Sequence, residues 1–401
     1  MHLYMKDIKK LYTFGIIIFP ILSVYSAMGN ITAAEIFILI ICIICLPFFE
    51  FKKVRQVFPL LYASAYIIIQ MAIYQLLNIQ ALQYRTVATI HLLTKYILVA
   101  VFTRNSFDIE WGMWFYKKMA VLSSVFMIIQ VFLVETAGVY LSGVLPGFTY
   151  MRESLYTLGS YAGNASFRCY SFFAEPSEFS VYVALALAVG LYEKKVTDNF
   201  KSYIPEALIT ISLLLSMSNT GILLGILIWS MFIADRVRKS PKINKKKMIV
   251  ILILLAAFIV AVPYIYNSKY FQTFLLRTFG EAGSKHSLGG SAQGRFNGYG
   301  ELLNDFQGNL WYWIFGIGES IFHTDIWYLP GDGNILKQFG VIGCLFVLYT
   351  GLRNRSNKYS RLIFLLLLLI GIGSDAYITV FSVVYLSFFF AEEKDRRLIN
   401  G

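Results

Sequence analysis

Long apolar stretches recur along this chain at 11–28, 33–49, 58–77, 87–103, 119–138, 176–192, 203–217, 222–234, 248–266 and 335–350, and a final one covers 362–391. A helix of about 20 such residues matches the ~30 Å hydrocarbon core of a bilayer. The final stretch would run about 45 Å as one helix. Gly371, Gly373, Ser374 and Asp375 interrupt it, so it divides into two short spans. The pattern predicts an all-α, polytopic integral membrane protein, a single membrane domain over residues 1–401 with about 12 transmembrane helices. Lys6, Lys9 and Lys10 precede the first run, which is long for a signal-peptide core and lacks a small-x-small cleavage pattern, so it reads as an uncleaved span.

Lys and Arg orient the chain, because cytoplasmic loops carry an excess of them. Every second gap is basic: Lys52, Lys53 and Arg55; Arg104, Lys117 and Lys118; Lys194, Lys195 and Lys201; the run 236–247; the run 353–361; and Lys394, Arg396 and Arg397. Both termini are therefore expected in the cytoplasm. Two long polar segments, 139–175 and 267–334, become the large extracytoplasmic loops. They hold six of the seven outward basic residues: Arg152, Arg168, Lys269, Arg277, Lys285 and Arg295, the seventh being Arg85.

Composition agrees: 57% of residues are hydrophobic, 14% are charged, and the mean hydropathy is +0.63. A soluble domain has nearer 45–50% apolar and ~25% charged residues. The net charge of +12 does not indicate nucleic acid, since it is spread over short loops rather than gathered on one basic face. Cys42 and Cys45 form a C-x-x-C inside an apolar span, where packing explains it better than metal or redox chemistry.

Arg on an outer segment runs against the charge bias, and its planar fork suits phosphate oxygens. Around Arg168-Cys-Tyr-Ser-Phe-Phe-Ala-Glu175-Pro-Ser-Glu178, polar groups lead straight into the span at 176–192. Pro176 suits a first helical position, which makes Glu175 the expected N-cap and Glu178 a first-turn carboxylate. One reading stops at capping. The other puts a carboxylate and an Arg at headgroup depth, where a lipid-linked phosphate lies and a sugar hydroxyl can be deprotonated. Arg295 follows Gly289-Gly-Ser-Ala-Gln-Gly294, which reads as a loop exposing backbone N–H groups. Arg277 follows an apolar stretch and can lie on the membrane surface, and Asp332 and Asn334 precede the span at 335–350. Within the membrane, Lys95 stands one turn from His91, as a pair that can line a site floor. The hairpin 203–234 is short for two spans, so Ser216, Ser218, Asn219 and Thr220 at its tip are expected below the surface, as a recess for an acceptor sugar.

Arg168 with Phe172-Phe173-Ala174-Glu175-Pro176-Ser177, Gly294-Arg295 in a large outer loop, Phe315-Gly316-Ile317-Gly318, and Asn334 with Gly340 and Gly343 resemble the Wzy-type polysaccharide polymerases of the O-antigen polymerase and ligase superfamily. Arg152 followed by Gly163 is similar to the R-x10-G pattern of some members. The resemblance implies a GT-C-like membrane glycosyltransferase of the bacterial cytoplasmic membrane, active on its outer face. Its reaction would transfer a glycan from undecaprenyl pyrophosphate onto the non-reducing end of a lipid-linked repeat unit. Arg168, Arg295 and Glu175 would be catalytic, and Arg152, Arg277, Glu178, Asn219, Asp332, Asn334, His91 and Lys95 would bind substrate. Partners would be the undecaprenyl-pyrophosphate-linked oligosaccharide, membrane lipid and a chain-length regulator protein, with no nucleic acid. No D-x-D occurs on an outer segment, so neither metal nor cofactor is expected. Ligases place a His-Asn pair where this chain reads Gly333-Asn334, which favours polymerase over ligase and leaves the base to Glu175, Asp332 or a loop His such as His286 or His323. A lipid or oligosaccharide transporter is the remaining alternative.

Overall fold

A computed structural model describes residues 2–28, 31–50, 57–77, 82–83, 86–145, 147–150, 168–195, 199–239, 290–318, 321–322, 329–354, 356–374 and 381–392. These residues are mainly helical: α1 His2–Leu22, α2 Ala33–Cys45, α3 Phe58–Leu76, α4 Thr86–Ser106, α5 Ile109–Ala137, α6 Pro176–Glu193, α7 Ile204–Leu215, α8 Asn219–Lys239, α9 Gly290–Phe306, α10 Leu310–Phe315, α11 Gly331–Arg353, α12 Ser360–Gly373 and α13 Phe381–Phe390. Five short strands accompany them: β1 Tyr25–Met28, β2 Ile31–Thr32, β3 Leu82–Gln83, β4 Thr149–Tyr150 and β5 Ile321–Phe322. β1 pairs antiparallel with β2 and β4, and β3 with β5. By length and composition α5 and α11 can cross a membrane, and 33–48, 60–76 and 360–373 are shorter apolar helices. The expected span at 248–266 lies outside the described residues.

The helices begin and end where local chemistry demands. Thr32 and Glu35 form a reciprocal capping box that starts α2. The first predicted span stops early, at Leu22: Pro20 lies in the last turn, Ser23 Oγ donates to Pro20 O at 2.7 Å, and the chain turns into β1. The stretch 362–391 is two helices, with Ser374 extended at the end of α12 (φ −146°, ψ 152°).

Two compact units divide the chain. The first comprises Met1–Ala120, Val144–Arg152 and Arg295–Gly401. Here the end of α13 is a dense cap, because helix-terminal carbonyls removed from water need donors. Asn357 Nδ2 donates to Phe388 O and Ala391 O, both at 2.8 Å; Asn354 Nδ2 reaches Phe389 O at 3.0 Å; Arg104 Nη1 reaches Phe390 O at 2.6 Å. Elsewhere in this unit α11 breaks at Gly340 (φ 62°). The Phe315-Gly316-Ile317-Gly318 segment docks its backbone in the break: Ile317 N–H donates to Lys337 O at 2.7 Å and Gly318 N–H to Gln338 O at 3.1 Å. One face of α3 grips the same segment. Tyr66 and Gln70 donate to Phe315 O and Tyr74 to Gly316 O.

The second unit comprises Val121–Gly143 and Glu153–Gly294. Its centre is α6, buried along almost its whole length by α7 and α8. At one end of α6, Lys194 Nζ pairs with Glu206 at 3.2 Å, with both side chains mostly buried, and Gly190 leaves room for that carboxylate, since a Cβ there would lie 2.6 Å from Glu206 Oε1. Arg236 donates to the carbonyl of Lys194.

The break in α11 generates a contrast between two glycines. A Cβ on Gly340 would need a left-handed backbone and would sit 2.4 Å from Ile314 O, whereas one on Gly300, inside α9, meets nothing within 4 Å. Gly340→Ala is expected to cost about 1–3 kcal/mol or more, read as a lowered thermal midpoint in detergent. Gly300→Ala is expected to be neutral or stabilising by about 0.5–1 kcal/mol. Equal midpoints for the two variants would contradict the docked-backbone arrangement.

Candidate functional site

In the second unit, Ser123, Phe126 and Gln130 recur at helical spacing on α5 and carry the turn 168–175. Ser171 adopts a left-handed conformation (φ 56°), and the surrounding bonds hold it there. Its N–H donates to Gln130 Oε1 at 2.9 Å and its Oγ to Ser123 O at 2.8 Å. Gln130 Nε2 donates in turn to Leu141 O at 2.7 Å. One fully buried amide thus ties Leu141 to Ser171, near the two ends of the segment 139–175. Phe172 stacks on Phe126 at 4.4 Å and 15°. Gly143 is required where it stands, since a Cβ would fall 1.9 Å from Ser171 O. Cys169 is buried in this turn, and burial, reinforced by the negative charge of Glu135, pushes its thiol up to about 12.

The turn delivers three of the expected site residues. Arg168 Nη1 donates to Met217 O at 3.3 Å, at the tip between α7 and α8. Its Nε is buried with no hydrogen-bond partner among the described residues. Glu175 is the N-cap of α6 with Pro176 at the first position, but its carboxylate makes no cap bond. It accepts from Ser177 Oγ at 3.1 Å, while Glu178 Oε2 takes the Ala174 N–H at 3.1 Å. Glu178 thus fastens the turn before the helix, and most of the Glu175 acceptor capacity is left for another role.

The hairpin tip packs into the protein, with Asn219 partly exposed. Ser216, Met217, Ser218 and Thr220 are all buried. Met217 takes a positive φ of 49°, and Ser218 Oγ accepts the Gly221 N–H at 3.3 Å. Ser180 of α6 and Ser216 meet at 3.4 Å between hydroxyls, and Gly221 permits that approach, because its Cβ would lie 2.3 Å from Ser180 Oγ. Asn219 opens α8, whose N-terminal end carries partial positive charge. Arg168, Glu175, Glu178 and Asn219 thus share one end of the α6–α8 bundle. Thr220 Oγ1, also there, is buried without a partner.

The remaining candidates lie in the first unit or outside the described residues. Asp332 and Asn334 occupy the first turn of α11, where Asn334 Nδ2 donates to Leu329 O at 2.7 Å. Gly333 is enclosed: a Cβ would lie 2.7 Å from Leu329 Cδ1 and 2.9 Å from Tyr299 Cε1, so a His there requires both neighbours to move. His91 and Lys95 lie in α4. Arg295 departs from expectation. The glycine stretch is not an open loop, because Gly290 begins α9 and Arg295 falls in its second turn, where the helix ladder occupies the N–H groups. Leu302 and Phe306, fully buried at helical spacing on α9, anchor that helix and override the glycine propensity. Arg152, Arg277, His286 and His323 lie outside the described residues.

Gln130 and the Met217 carbonyl were not among the sequence candidates. A lone amide within the apolar run 119–138 was the available signal for Gln130; nothing in the sequence marks a particular carbonyl. Compared with known protein families, curated proteins and solved structures, the chain matches none.

Gln130→Met removes both bonds of the amide at nearly constant volume. Unmet buried partners cost about 1–3 kcal/mol each, so maleimide labelling of Cys169, mapped by peptide mass spectrometry at neutral pH, is expected to accelerate about tenfold or more. Ser171→Gly keeps the bond to Gln130 and relieves the left-handed strain, and is expected to label like wild type. Wild-type labelling in Gln130→Met would contradict the role of the amide.

Proposed function

We propose that this chain is a polysaccharide polymerase of the Wzy type, with about 12 spans in a GT-C-like arrangement in the bacterial cytoplasmic membrane, cytoplasmic termini and an extracytoplasmic site. The observation that carries the reading is Arg168: a guanidinium fixed at a sunken hairpin tip, with a buried Nε that no described group satisfies, beside a helix N-terminus. Buried donors normally have acceptors, and an anion is the acceptor this arrangement fits. The opposite end of α6 carries the Lys194–Glu206 pair and Arg236. Eighteen helical residues span roughly 27 Å, near the thickness of the hydrocarbon core. Arg168 and the basic residues that follow α6 therefore suit opposite headgroup planes.

In the reaction, the hydroxyl oxygen at the non-reducing end of one lipid-linked repeat attacks the anomeric carbon of the donor sugar. The anomeric C–O bond to pyrophosphate breaks, the hydroxyl proton passes to Glu175, and undecaprenyl pyrophosphate departs. Arg168 stabilises the charge that builds on the departing diphosphate, and each charge-assisted contact is worth about 1.5–3 kcal/mol. Within the second unit Asn219 orients sugar hydroxyls; the family resemblance assigns Arg295 to the diphosphate, Arg152 and Arg277 to drawing in the anionic lipid, and Asp332 and Asn334 to sugar hydroxyls. Positive side chains meet the electrostatic demand without a metal. The Gly333-Asn334 pair, where ligases carry His-Asn, makes ligase the weaker family reading. A transporter is favoured by one feature, the break in α11, because interrupted helices line substrate paths in carriers.

Purified protein in nanodiscs supplied with lipid-linked repeat units is expected to build a ladder of long glycans, with or without chelator. Arg168→Ala and Glu175→Gln are expected to express normally and leave single repeats, with rates reduced about 10- to 100-fold or more. Long chains from Arg168→Ala, or transport without ladder formation, would overturn the assignment.

A further inference from the structure

A cavity of about 520 Å³ lies between α3 and α10 in the first unit, lined chiefly by Tyr66, Ile69, Ile73, Tyr74, Trp311 and Phe315. Its walls offer hydrocarbon and ring faces. The phenols of Tyr66 and Tyr74 are turned onto the carbonyls of Phe315 and Gly316, and the Asn309 carboxamide at the rim accepts the Trp311 N–H at 3.1 Å. Gln70 also lines the space, its Nε2 donating to Phe315 O and its Oε1 buried with no partner among the described residues, so a sugar or peptide would find little more than one free acceptor here, which disfavours them as occupants. The mouth is apolar as well: Ile69, Ile73 and Trp311 are 59%, 48% and 67% exposed. Trp311 and Phe315 stack at 5.2 Å and 17°, forming one flat wall. Such an opening fills from the lipid phase, because water has too few partners in it.

The position of the cavity narrows the occupant. Tyr74 and Tyr312, both lining it, pack in one core cluster with Leu329, whose carbonyl holds Asn334. The cavity wall and the residue before α11 thus share one packed cluster, and Asp332 and Asn334 stand in the first turn of that helix. In the orientation set by the basic residues, its α3 wall belongs to the outer half of that span. We infer that this cavity seats the head-proximal isoprene units of the polyprenyl chain of a lipid-linked substrate. The inference rests on the polymerase reading, which supplies the polyprenyl substrate. The π faces of five aromatic side chains around the space (Tyr66, Tyr74, Trp311, Tyr312 and Phe315) favour a methyl-branched, unsaturated chain over a straight acyl chain.

The test uses a diazirine-bearing polyprenyl monophosphate, which carries neither diphosphate nor sugar, and full-length protein in nanodiscs. Crosslinks are expected on peptides containing 66–77 and 309–315. Ile73→Trp, which fills the cavity, is expected to reduce them about tenfold, and Trp311→Ala, which removes one wall, to reduce them as well. Ile68→Trp, on the exposed apolar face of α3 but outside the lining, is expected to leave them unchanged, and its thermal midpoint provides the folding control. Labelling insensitive to Ile73→Trp, or equally strong labelling of these peptides by a diazirine phosphatidylglycerol, would overturn the assignment. Loss of glycan ladders with crosslinks retained would sink the polymerase reading and not the chain site; ladders retained without these crosslinks would do the reverse.

Discussion

In hydrocarbon, a backbone N–H or C=O that leaves a helix ladder must find its partner within the protein. The irregular points of this chain are organised by that constraint. The α13 end is closed by Asn354, Asn357 and Arg104; the gap in α11 is filled by the backbone of 315–318 and backed by Tyr66, Gln70 and Tyr74; the Ser171 turn hangs from Gln130. A few buried polar atoms among the described residues keep no such bond, and at the hairpin tip these are Thr220 Oγ1 and the charged Nε of Arg168, which suits an acceptor from outside the chain.

The same constraint explains what the sequence made legible. Helices could be read from the sequence because long apolar runs favour them, and α5 and α11 are long and apolar enough to cross a membrane. Glu175 and Pro176 could be read as a helix start because capping is local. The glycine run before Arg295 misled, since local propensity favoured a loop while Leu302 and Phe306, seven and eleven residues on, secured a helix through tertiary packing. Gln130, the Gly316–Gly340 contact and the division of labour between Glu175 and Glu178 depend on residues brought together from distant parts of the chain. Periodicity carries no record of such meetings.

Division of labour gives the site its chemistry. Because Glu178 satisfies the turn before α6, Glu175 can keep an acceptor face at the helix start, and because Met217 O holds one guanidinium nitrogen of Arg168, the others keep a fixed direction. A preorganised cation beside a carboxylate is what glycosyl transfer from a diphosphate asks for: charge stabilisation at the leaving group and a proton acceptor at the nucleophile.

The most direct measurement is equilibrium binding of undecaprenyl pyrophosphate, free of sugar, to the protein in nanodiscs, compared with undecaprenyl monophosphate. Wild type and Glu175→Gln should prefer the diphosphate, and Arg168→Ala should lose about 10- to 100-fold in diphosphate affinity while changing little for the monophosphate. Wild-type diphosphate affinity in Arg168→Ala would contradict the central claim.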